Sequence, residues 1–345
     1  WPSSGSTRSW REWLNRLADP RATSRLTYAE AIVDAMAEAM RADERVFFMG
    51  QDVGRFGGAL QGSKGLWEEF GPTRVLEAPI AESAMVGACV GAALFGLRPI
   101  VEISFGEFLP TAMSQIVLQA ANIHYMTAGK GKAPLVLRTR VGDGPYRGHP
   151  QSYEAWFPHV PGLKVVMPAT ARDAGGLMRA AIRDDGPVLF FEPMSLYHSR
   201  GDVPEWPSTV PLGVAAVVRE GCDVTVIASG AMTPRALAAA DVLAAEAIDV
   251  EVVDLRTLAP LDRESILASA RKTGRVVVAH EAWKIGGIGA EVAALIAEES
   301  FEDLLAPIVR VGAPHVPIPS AQSLRDLVIP SADTIADAVR RVYAA

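Results

Sequence analysis

Cysteine and basic charge are scarce in this sequence, long apolar runs are absent, and each of these features excludes a class of protein. The only cysteines among the 345 residues are Cys89 and Cys222, which lie far apart in apolar or strand-like surroundings. We expect both to be reduced core residues, which excludes a disulfide framework. The formal net charge is -7 and no basic face is visible, so nucleic acid and anionic membranes are not expected partners. The longest apolar run, residues 84–97, is too short to span a membrane.

The composition is that of a well-buried globular protein. Hydrophobic residues make up 49% of the chain and charged residues 21%. A chain of 345 residues exceeds the size of one average domain, so we expect two domains. The opening residues lack the apolar core of a signal peptide, and the expected location is the cytoplasm or an equivalent reducing compartment.

Near-continuous apolar strands alternate with helices along the chain, and this order predicts parallel sheets covered on both faces. The expected fold class is therefore α/β, with two doubly wound α/β/α domains. A shift in composition toward Pro, Asp, Ser and Trp marks a linker between them. We divide the chain into an N-terminal appendage, residues 1–22, a first domain, residues 23–197, the linker, residues 198–212, and a second domain, residues 213–345.

Local signals predict the individual elements. Thr27 and Glu30 have the spacing of a capping box, which predicts the start of the first helix, and Ser331 starts the last one. In the first domain we expect strands over residues 46–49, 99–103, 134–139, 163–167 and 187–192, and helices over residues 110–125 and 171–183. In the second domain we expect strands over residues 224–229, 250–255, 275–280 and 308–311, and helices over residues 234–246, 263–272, 289–299 and 333–342. The loop over residues 140–161 is long enough to indicate function.

Residues 76–100 place one acidic side chain, Glu82, at the start of a helix that has an unusual face. That face consists of small residues, namely Ala84, Gly87, Ala88, Gly91 and Ala92. A face of this kind buries little surface of its own and indicates a partner that packs very closely against it. A plainer alternative is that Glu82 and Ser83 serve only to cap the helix.

Three polar segments follow predicted strands and could meet at one edge of the first sheet. They are Glu82, the segment with Phe105, Glu107 and Phe108, and the long loop with His149, Gln151, Ser152, Glu154 and His159. A zinc site built from the histidines and glutamate of the loop is disfavoured, because their spacing fits no helical ligand pair and no cysteine contributes. No serine lies at a strand-to-helix elbow, so serine nucleophile chemistry is not indicated.

Four stretches of the sequence, in this order, resemble one known family. They are PIAESAMVGACVGAALFGLRPIVEISFGEF, HPQSYEAWFPHVPGLKVVMPATARDAGGLMRAAIRDDGPV, VTVIASG and VEVVDLRTLAPLD. The family is the beta subunit of the thiamine-diphosphate-dependent decarboxylating component of 2-oxo acid dehydrogenase complexes, of the pyruvate, branched-chain and acetoin types. The resemblance covers about residues 24–345. It implies a transketolase-like pyrimidine-binding domain followed by a transketolase C-terminal-like domain.

The resemblance also implies roles for particular residues. Glu82 matches the glutamate that hydrogen-bonds the pyrimidine N1′ of thiamine diphosphate, and Phe108 matches the aromatic residue that lies on the pyrimidine ring. His149 matches the histidine at the mouth of the site, which binds substrate or guides transfer to the lipoyl group. Gln51 stands where pyruvate dehydrogenase members carry a glutamate, and Pro150 replaces the serine that usually follows the histidine. Some members hold a structural potassium ion through backbone oxygens at positions that match Leu135, Ala181 and Asp184.

Scarcity of asparagine carries a further implication of the same resemblance. Family members that bind the diphosphate use Gly-Asp-Gly followed by a later asparagine, and the aspartate and asparagine ligate magnesium. Here Gly142, Asp143 and Gly144 match the first half, but Asn15 and Asn122 are the only asparagines and both precede it. The chain is therefore expected to hold only the pyrimidine half of the cofactor.

An alpha-type subunit would then hold the diphosphate and Mg2+, in a heterotetramer of two alpha and two beta chains, with a lipoyl acyltransferase core as a further partner. The implied activity is that of a 2-oxo acid dehydrogenase, which decarboxylates a small 2-oxo acid and passes the acyl group to lipoamide, or that of an acetoin dehydrogenase. Two alternatives stay open at this point. One is a carboligase with the same decarboxylation chemistry, which passes the carbanion to another carbonyl compound. The other is a non-catalytic assembly chain that has kept the fold.

Overall fold

The computed structural model describes residues 23–204 and 208–345, which form two parallel-dominated sheets flanked by helices. This arrangement confirms the predicted α/β class. The predicted N-terminal appendage, residues 1–22, lies outside the described residues, as do residues 205–207 of the predicted linker.

The first sheet contains seven strands and carries the candidate site. In order across the sheet they are β12 (Thr257–Ala259), β6 (Lys164–Val166), β7 (Val188–Pro193), β5 (Val136–Val141), β4 (Arg98–Phe105), β2 (Val46–Gly50) and β3 (Val75–Glu77). Every neighbouring pair is parallel except β12 with β6. The central strands are buried along their length, which explains their continuous apolar runs. Because β12 comes from the second half of the chain, the two predicted domains share this sheet.

Five helices accompany the first sheet: α1 (Tyr28–Ala42), α2 (Leu66–Phe70), α3 (Glu82–Leu94), α4 (Ile123–Met126) and α5 (Ala171–Arg183). The predicted capping box at the start of α1 is confirmed. The Glu30 amide donates to Thr27 Oγ1 at 3.1 Å, and the Thr27 amide donates to the Glu30 carboxylate at 2.8 Å. The buried stripe of α1, with Ile32, Met36 and Met40, belongs to the same core cluster as the apolar face of α5.

The chain after β4 differs from the single helix expected over residues 110–125. It forms a 3-10 segment, Gly106–Ala112, then a π-helical segment, Ser114–Ala120, and only then the short α4. Pro110 lies inside the 3-10 segment and has no amide hydrogen to donate, which disfavours a regular α-helix through this position. The prediction of one continuous α-helix is therefore wrong, and the 3-10 segment contains the candidate site residues Glu107 and Phe108.

The second sheet has five strands, which in order are β14 (Val309–Ala313), β13 (Val276–Trp283), β10 (Val224–Ala228), β11 (Val250–Asp254) and β9 (Ala216–Arg219). All neighbouring pairs are parallel except β9 with β11. Its helices are α6 (Met232–Ala244), α7 (Arg263–Thr273), α8 (Ile288–Glu299), α9 (Gln322–Val328) and α10 (Ala332–Tyr343). Ser331 caps α10 as predicted, accepting from the Thr334 amide at 3.2 Å. None of the helices within the described ranges is long and apolar enough to cross a membrane.

A separate two-stranded ribbon joins the start of the first domain to the predicted linker. It pairs β1 (Thr23–Thr27) with β8 (Arg200–Pro204) in antiparallel register. The sequence predicted neither strand, because both are short and mostly exposed or half-buried and so lack an apolar pattern. Residues 200–204 of the predicted linker are thus regular structure, while the domain boundaries themselves stay a prediction.

Candidate active site

Four adjacent strands of the first sheet, β5, β4, β2 and β3, run parallel and end at the same edge. Gln51 follows β2, Glu82 begins α3 after β3, Glu107 and Phe108 follow β4, and the loop with His149 follows β5. The carboxyl ends of parallel strands are where open α/β sheets bind ligands. All the polar segments singled out in the sequence therefore start at this edge.

Glu82 is the first residue of α3 and is only 9% exposed. Gln51 Nε2 donates to its Oε1 at 3.3 Å, and the same amide lies 4.0 Å from Met85 Sδ. Among the described residues, Glu82 Oε2 has no hydrogen-bond partner. Ala81 is the N-cap of α3, and no side chain forms a capping hydrogen bond at this end of the helix. The structure therefore does not support a capping role for Glu82 and Ser83. A nearly buried carboxyl group with one free oxygen is left at the helix N-terminus, where negative charge is favoured.

The second group of candidate residues is an aromatic cluster around His149. The imidazole Nδ1 lies 3.1 Å from Glu107 Oε2, and both side chains are about one-quarter exposed. The ring centroid of His149 is 4.7 Å from that of Phe108 and 5.1 Å from that of Phe105. Tyr146, which the sequence did not single out, stacks on Phe105 at 4.8 Å. The structure thus brings Gln51 and Glu82 together, and separately Glu107, Phe108 and His149.

A buried network of charged side chains lies within the strands of the first sheet. Arg138 donates to both carboxylate oxygens of Glu192 at 2.6 and 2.8 Å, and Arg140 donates to both oxygens of Glu102 at 3.0 Å. These four side chains are at most 1% exposed. Burial by itself would raise the pKa of Glu102, but the two neighbouring arginines hold that pKa below its ordinary value. The sequence signal that could have revealed this network is the occurrence of full charges at alternate positions of apolar strands.

The buried network also holds the loop that carries Gln51. Arg138 Nη1 donates to the Gly62 carbonyl at 2.7 Å. A side chain at Gly62 would collide with the Arg140 guanidinium, so the loop backbone approaches the network closely. The partner of Glu82 is therefore carried by a loop that is fixed to buried ion pairs of the first domain.

The second domain contacts the His149 loop directly. Asp143 of the Gly-Asp-Gly sequence forms an ion pair with Arg325, and its amide donates to Glu281 Oε1. Gln151 exchanges two hydrogen bonds with the backbone of Ile318, donating at 3.1 Å and accepting at 3.0 Å. The Asp143 carboxylate, half of the motif expected for magnesium elsewhere in the family, is thus engaged by an arginine.

Other loop residues expected near the site are placed differently. Glu154 is fully buried, and both carboxylate oxygens lack a hydrogen-bond partner within the described part of the chain. Burial, together with the nearby Glu281, raises the pKa of Glu154 to about 7, and burial likewise raises the pKa of Glu281 to about 7. Ser152 is buried and His159 is exposed. No cluster of histidine, cysteine and carboxylate side chains in residues 23–204 and 208–345 is arranged to hold a metal.

The three backbone oxygens matched to a potassium site already accept hydrogen bonds. The Leu135 carbonyl accepts from the Val188 amide at 2.9 Å, and the Ala181 carbonyl accepts from the Asp184 amide at 3.3 Å. The Asp184 carbonyl accepts from Arg98 at 3.0 Å. A potassium ion held by these oxygens stays a prediction.

The donor set at the sheet edge suits an aminopyrimidine ring. Glu82 offers a carboxyl oxygen in a nearly buried position, and Phe108 offers a half-buried aromatic face. A carboxyl group can exchange a proton with a ring nitrogen, and aromatic rings stack on a heterocycle. The residues present therefore fit the pyrimidine half of thiamine diphosphate.

Comparison with known proteins identifies the family of the chain. Residues 24–199 match the transketolase pyrimidine-binding domain, and residues 213–335 match the transketolase C-terminal domain. The chain is 44% identical over 319 residues to the pyruvate dehydrogenase E1 component subunit beta of Rickettsia felis, covering 92% of this chain and 98% of that protein. It is also 44% identical to the 2-oxoisovalerate dehydrogenase subunit beta of Bacillus subtilis, with 92% of this chain and 98% of that protein covered.

Two further relatives extend the comparison. The beta subunit of acetoin:2,6-dichlorophenolindophenol oxidoreductase from Bacillus subtilis is 42% identical, over 90% of this chain and 95% of that protein. Among solved structures, a split-gene transketolase described as an inactive beta4 tetramer matches with a TM-score of 0.78 and 28% identity. That match covers 92% of this chain and 99% of the other. The resemblance drawn from the four sequence stretches is confirmed.

Proposed function

This chain belongs to the family of beta subunits of thiamine-diphosphate-dependent 2-oxo acid dehydrogenases, and from that membership we propose that it works with an alpha-type subunit to decarboxylate a small 2-oxo acid. The observation that supports this most strongly is the nearly buried Glu82 carboxyl group with one free oxygen at the sheet edge. The acyl group would pass to lipoamide on an acyltransferase core.

Each residue of the site has a task in this proposal. Bound at the edge, thiamine diphosphate would supply a nucleophilic carbon and an electron sink for decarboxylation. Glu82 would hold a proton in a hydrogen bond to the pyrimidine N1′, and Gln51 would orient the Glu82 carboxyl group. Phe108 would pack on the ring, and His149, hydrogen-bonded to Glu107, would face the substrate or the incoming lipoyl group.

The small-residue face of α3 supports an alpha-type partner. Of the small residues predicted for this face, Ala84 and Ala88 are exposed, whereas Gly87 lies against Gln115 of the π-helical segment. We define the α3 face as Ala84, Ala88 and Phe95, together with the exposed Ile80 and Leu118. Phe95 is 93% exposed, Ile80 83% and Leu118 57%, while the opposite side of α3 is buried in the first domain. Exposed apolar surface of this extent indicates a protein interface. Because Glu82 lies at the N-terminal end of the same helix, the chain that completes the cofactor site would cover this face.

We divide the cofactor between two chains because this chain lacks the complete motif that would ligate Mg2+ and the diphosphate. Asp143 is paired with Arg325, and no asparagine follows it in the sequence. The diphosphate and Mg2+ would therefore be held by the alpha-type subunit, in a heterotetramer. The split-gene relative, whose beta4 tetramer is described as inactive, supports the expectation that this chain alone is also inactive.

Two finer points of the proposal concern location and ions. Cys89 is buried as expected, whereas Cys222 is exposed, so the expectation of a core position is wrong for Cys222. Both cysteines are free, which supports a reducing compartment such as the cytoplasm. A structural potassium ion near Leu135, Ala181 and Asp184 is retained as a proposal, tested by the dependence of the melting temperature on potassium at constant ionic strength.

One observation favours a second candidate, a carboligase that makes acyloins. Pro150 is buried and directly follows His149, and proline removes a backbone donor and stiffens the loop. If this change prevents access of a lipoyl group, the carbanion would pass to a carbonyl compound instead. The first half-reaction at Glu82 would be the same in both cases.

Reconstitution tests the proposal and separates the candidates. The chain is co-expressed with an alpha-type subunit, and the complex is assayed with thiamine diphosphate, Mg2+ and a panel of 2-oxo acids. Carbon dioxide release together with lipoyl acylation is the expected result. Carbon dioxide with acyloin products and no acyl transfer would establish the carboligase. An assembled complex that releases no carbon dioxide from any 2-oxo acid would leave the non-catalytic assembly chain as the correct reading.

A further inference from the structure

The Gly-Asp-Gly turn after β5 is built to touch the second domain. Gly142 has a φ of +76°, and a side chain there would collide with the Glu281 carboxylate. Gly144 approaches Met194 so closely that a side chain would collide there too. The two glycines allow the backbone on either side of Asp143 to come close to its neighbours.

Asp143 is held by a buried cation of the second domain. Arg325 lies on α9, its side chain is 2% exposed, and it pairs with the Asp143 carboxylate, whose side chain is 19% exposed. The Arg325 guanidinium also donates to Gln322 on the same helix at 2.7 Å. A guanidinium buried to this extent needs its carboxylate partner, because an unpaired charge away from water is strongly unfavourable.

A second attachment lies at the other end of the same loop. The side chain of Gln151 exchanges its two hydrogen bonds with the backbone of Ile318, a few residues before α9. The backbone amide of Gln151 donates to Glu107 Oε1 at 3.1 Å, while Glu107 Oε2 lies 3.1 Å from His149 Nδ1. The Glu107 carboxylate therefore links His149 to Gln151, the residue that is hydrogen-bonded to the second domain.

We propose that Arg325 is a positioning residue for His149, acting through Asp143, and that residues 318–325 of the second domain form the support on which the His149 loop is set. The expected effect of Arg325 on the kinetics of the complex rests on the proposed function. The support itself follows from the two attachments, at Asp143 and at Gln151, which flank the histidine on both sides.

This arrangement predicts that loss of Arg325 affects substrate binding and acyl transfer much more than cofactor binding. A general structural role for Arg325 would affect all of these steps. Glu82 and Gln51 form no hydrogen bond or ion pair with residues 318–325 among the described residues, and Phe108, although it packs on His149, is carried by the segment after β4. Cofactor affinity should therefore depend on Arg325 much less than substrate binding does. Binding of the 2-oxo acid and transfer of the acyl group should depend on it, because these steps involve His149.

The test compares Arg325→Gln and Arg325→Lys with the control Arg340→Gln. Arg340 belongs to the same domain but pairs with Glu246 and Asp337 on the surface. Hydrogen exchange of the isolated chain is followed by mass spectrometry over residues 142–153. We expect exchange there to rise about tenfold in Arg325→Gln, equivalent to about 1.4 kcal/mol of local protection, with little change elsewhere. Arg325→Lys should restore part of the protection, and Arg340→Gln should leave it unchanged.

Kinetics of the complex with the alpha-type subunit complete the test. In Arg325→Gln we expect the KM for the 2-oxo acid to rise about tenfold while the apparent affinity for thiamine diphosphate stays within about twofold. Unchanged exchange over residues 142–153, or an equal rise over α10 and the second sheet, would overturn the proposal. A wild-type complex without decarboxylase activity would refute the proposed function instead, and the exchange measurement would still decide whether Arg325 holds the loop.

Discussion

On the Glu82 side of the site the buried carboxylates Glu102 and Glu192 are paired with arginines, whereas on the His149 side Glu154 and Glu281 are buried without a salt bridge in the described part of the chain. The pKa of Glu102 is held below its ordinary value, while burial raises those of Glu154 and Glu281 to about 7. Equal burial therefore shifts the pKa in opposite directions, because two arginines outweigh burial at Glu102, whereas no arginine forms an ion pair with Glu154 or Glu281 among the described residues.

The difference extends to how each side is held. The loop with Gln51 is fixed by Arg138 from within the first domain, whereas the loop with His149 is attached to the second domain through Asp143 and Gln151. The loop with Gln51 should thus keep a fixed position relative to the first domain. The substrate side should respond both to pH and to the relative position of the domains.

The largest expected effect comes from removing a cation on the paired side. In Arg138→Met, Glu192 keeps its hydrogen bond from Tyr197 but loses its cationic partner inside the core, and we expect the free energy of unfolding to fall by about 3–5 kcal/mol. Arg41→Met is the matched control, since its pair with Glu69 is exposed and is worth about 0–1 kcal/mol. Urea denaturation of both variants measures the difference. Equal, small losses would show that burial does not distinguish these ion pairs.

Changing Glu82→Gln isolates chemistry from structure on the same side. The amide keeps the shape and can still interact with Gln51, but it cannot exchange a proton with a ring nitrogen. We expect turnover of the reconstituted complex to fall at least about a hundredfold, with assembly intact by size-exclusion chromatography. Glu69→Gln on the surface should behave as wild type. Normal turnover in Glu82→Gln would sink the assignment of this glutamate.

A smaller effect, specific to the His149 side, is the pH dependence of stability. The pKa of Glu154 rises from 4.5 in its ordinary state to about 7 in the folded chain. Between these values the folded chain retains a proton that the unfolded chain has lost. The stabilisation from this group is complete below about pH 4.5, and it is lost as the pH rises through about 7.

The variant Glu154→Gln should remove this contribution, because the amide is neutral at every pH. We expect the decline in the free energy of unfolding between about pH 4.5 and about pH 7 to be smaller in the variant by up to about 3 kcal/mol. The exposed Glu44→Gln serves as the control. Parallel pH profiles for wild type and Glu154→Gln would mean that Glu154 is ionised in the folded state.

Much of the Glu82 side could be predicted from the sequence. An apolar strand, a proline-containing loop and a small-residue helix put Glu82 at a sheet edge, and the structure has it there, at the first position of α3. The alternation of strands and helices could also be predicted, since it depends on local periodicity in the sequence. The ion pairs of Arg138 and Arg140 were missed, because a charge within a strand does not reveal which distant residue neutralises it.

The His149 side was predictable only as a collection of residues. Its geometry depends on contacts between residues far apart in the chain, such as Gln151 with Ile318 and Asp143 with Arg325. The family pattern assigned Asp143 to half of a magnesium motif by coincidence, and nothing local indicated its arginine partner. Pro110 was visible in the sequence, but its effect on the winding after β4 was underestimated.

The antiparallel strand β12 has a consequence for the order of events during synthesis. It completes the first sheet by pairing with β6, although it is made only after three strands of the second sheet, β9, β10 and β11. A nascent chain that has finished the first domain therefore leaves the ribosome with β6 as an open edge, a surface that invites pairing with other strands. A gene truncated after the first domain would produce a protein with this edge permanently uncovered, and the two halves are better regarded as one unit of expression.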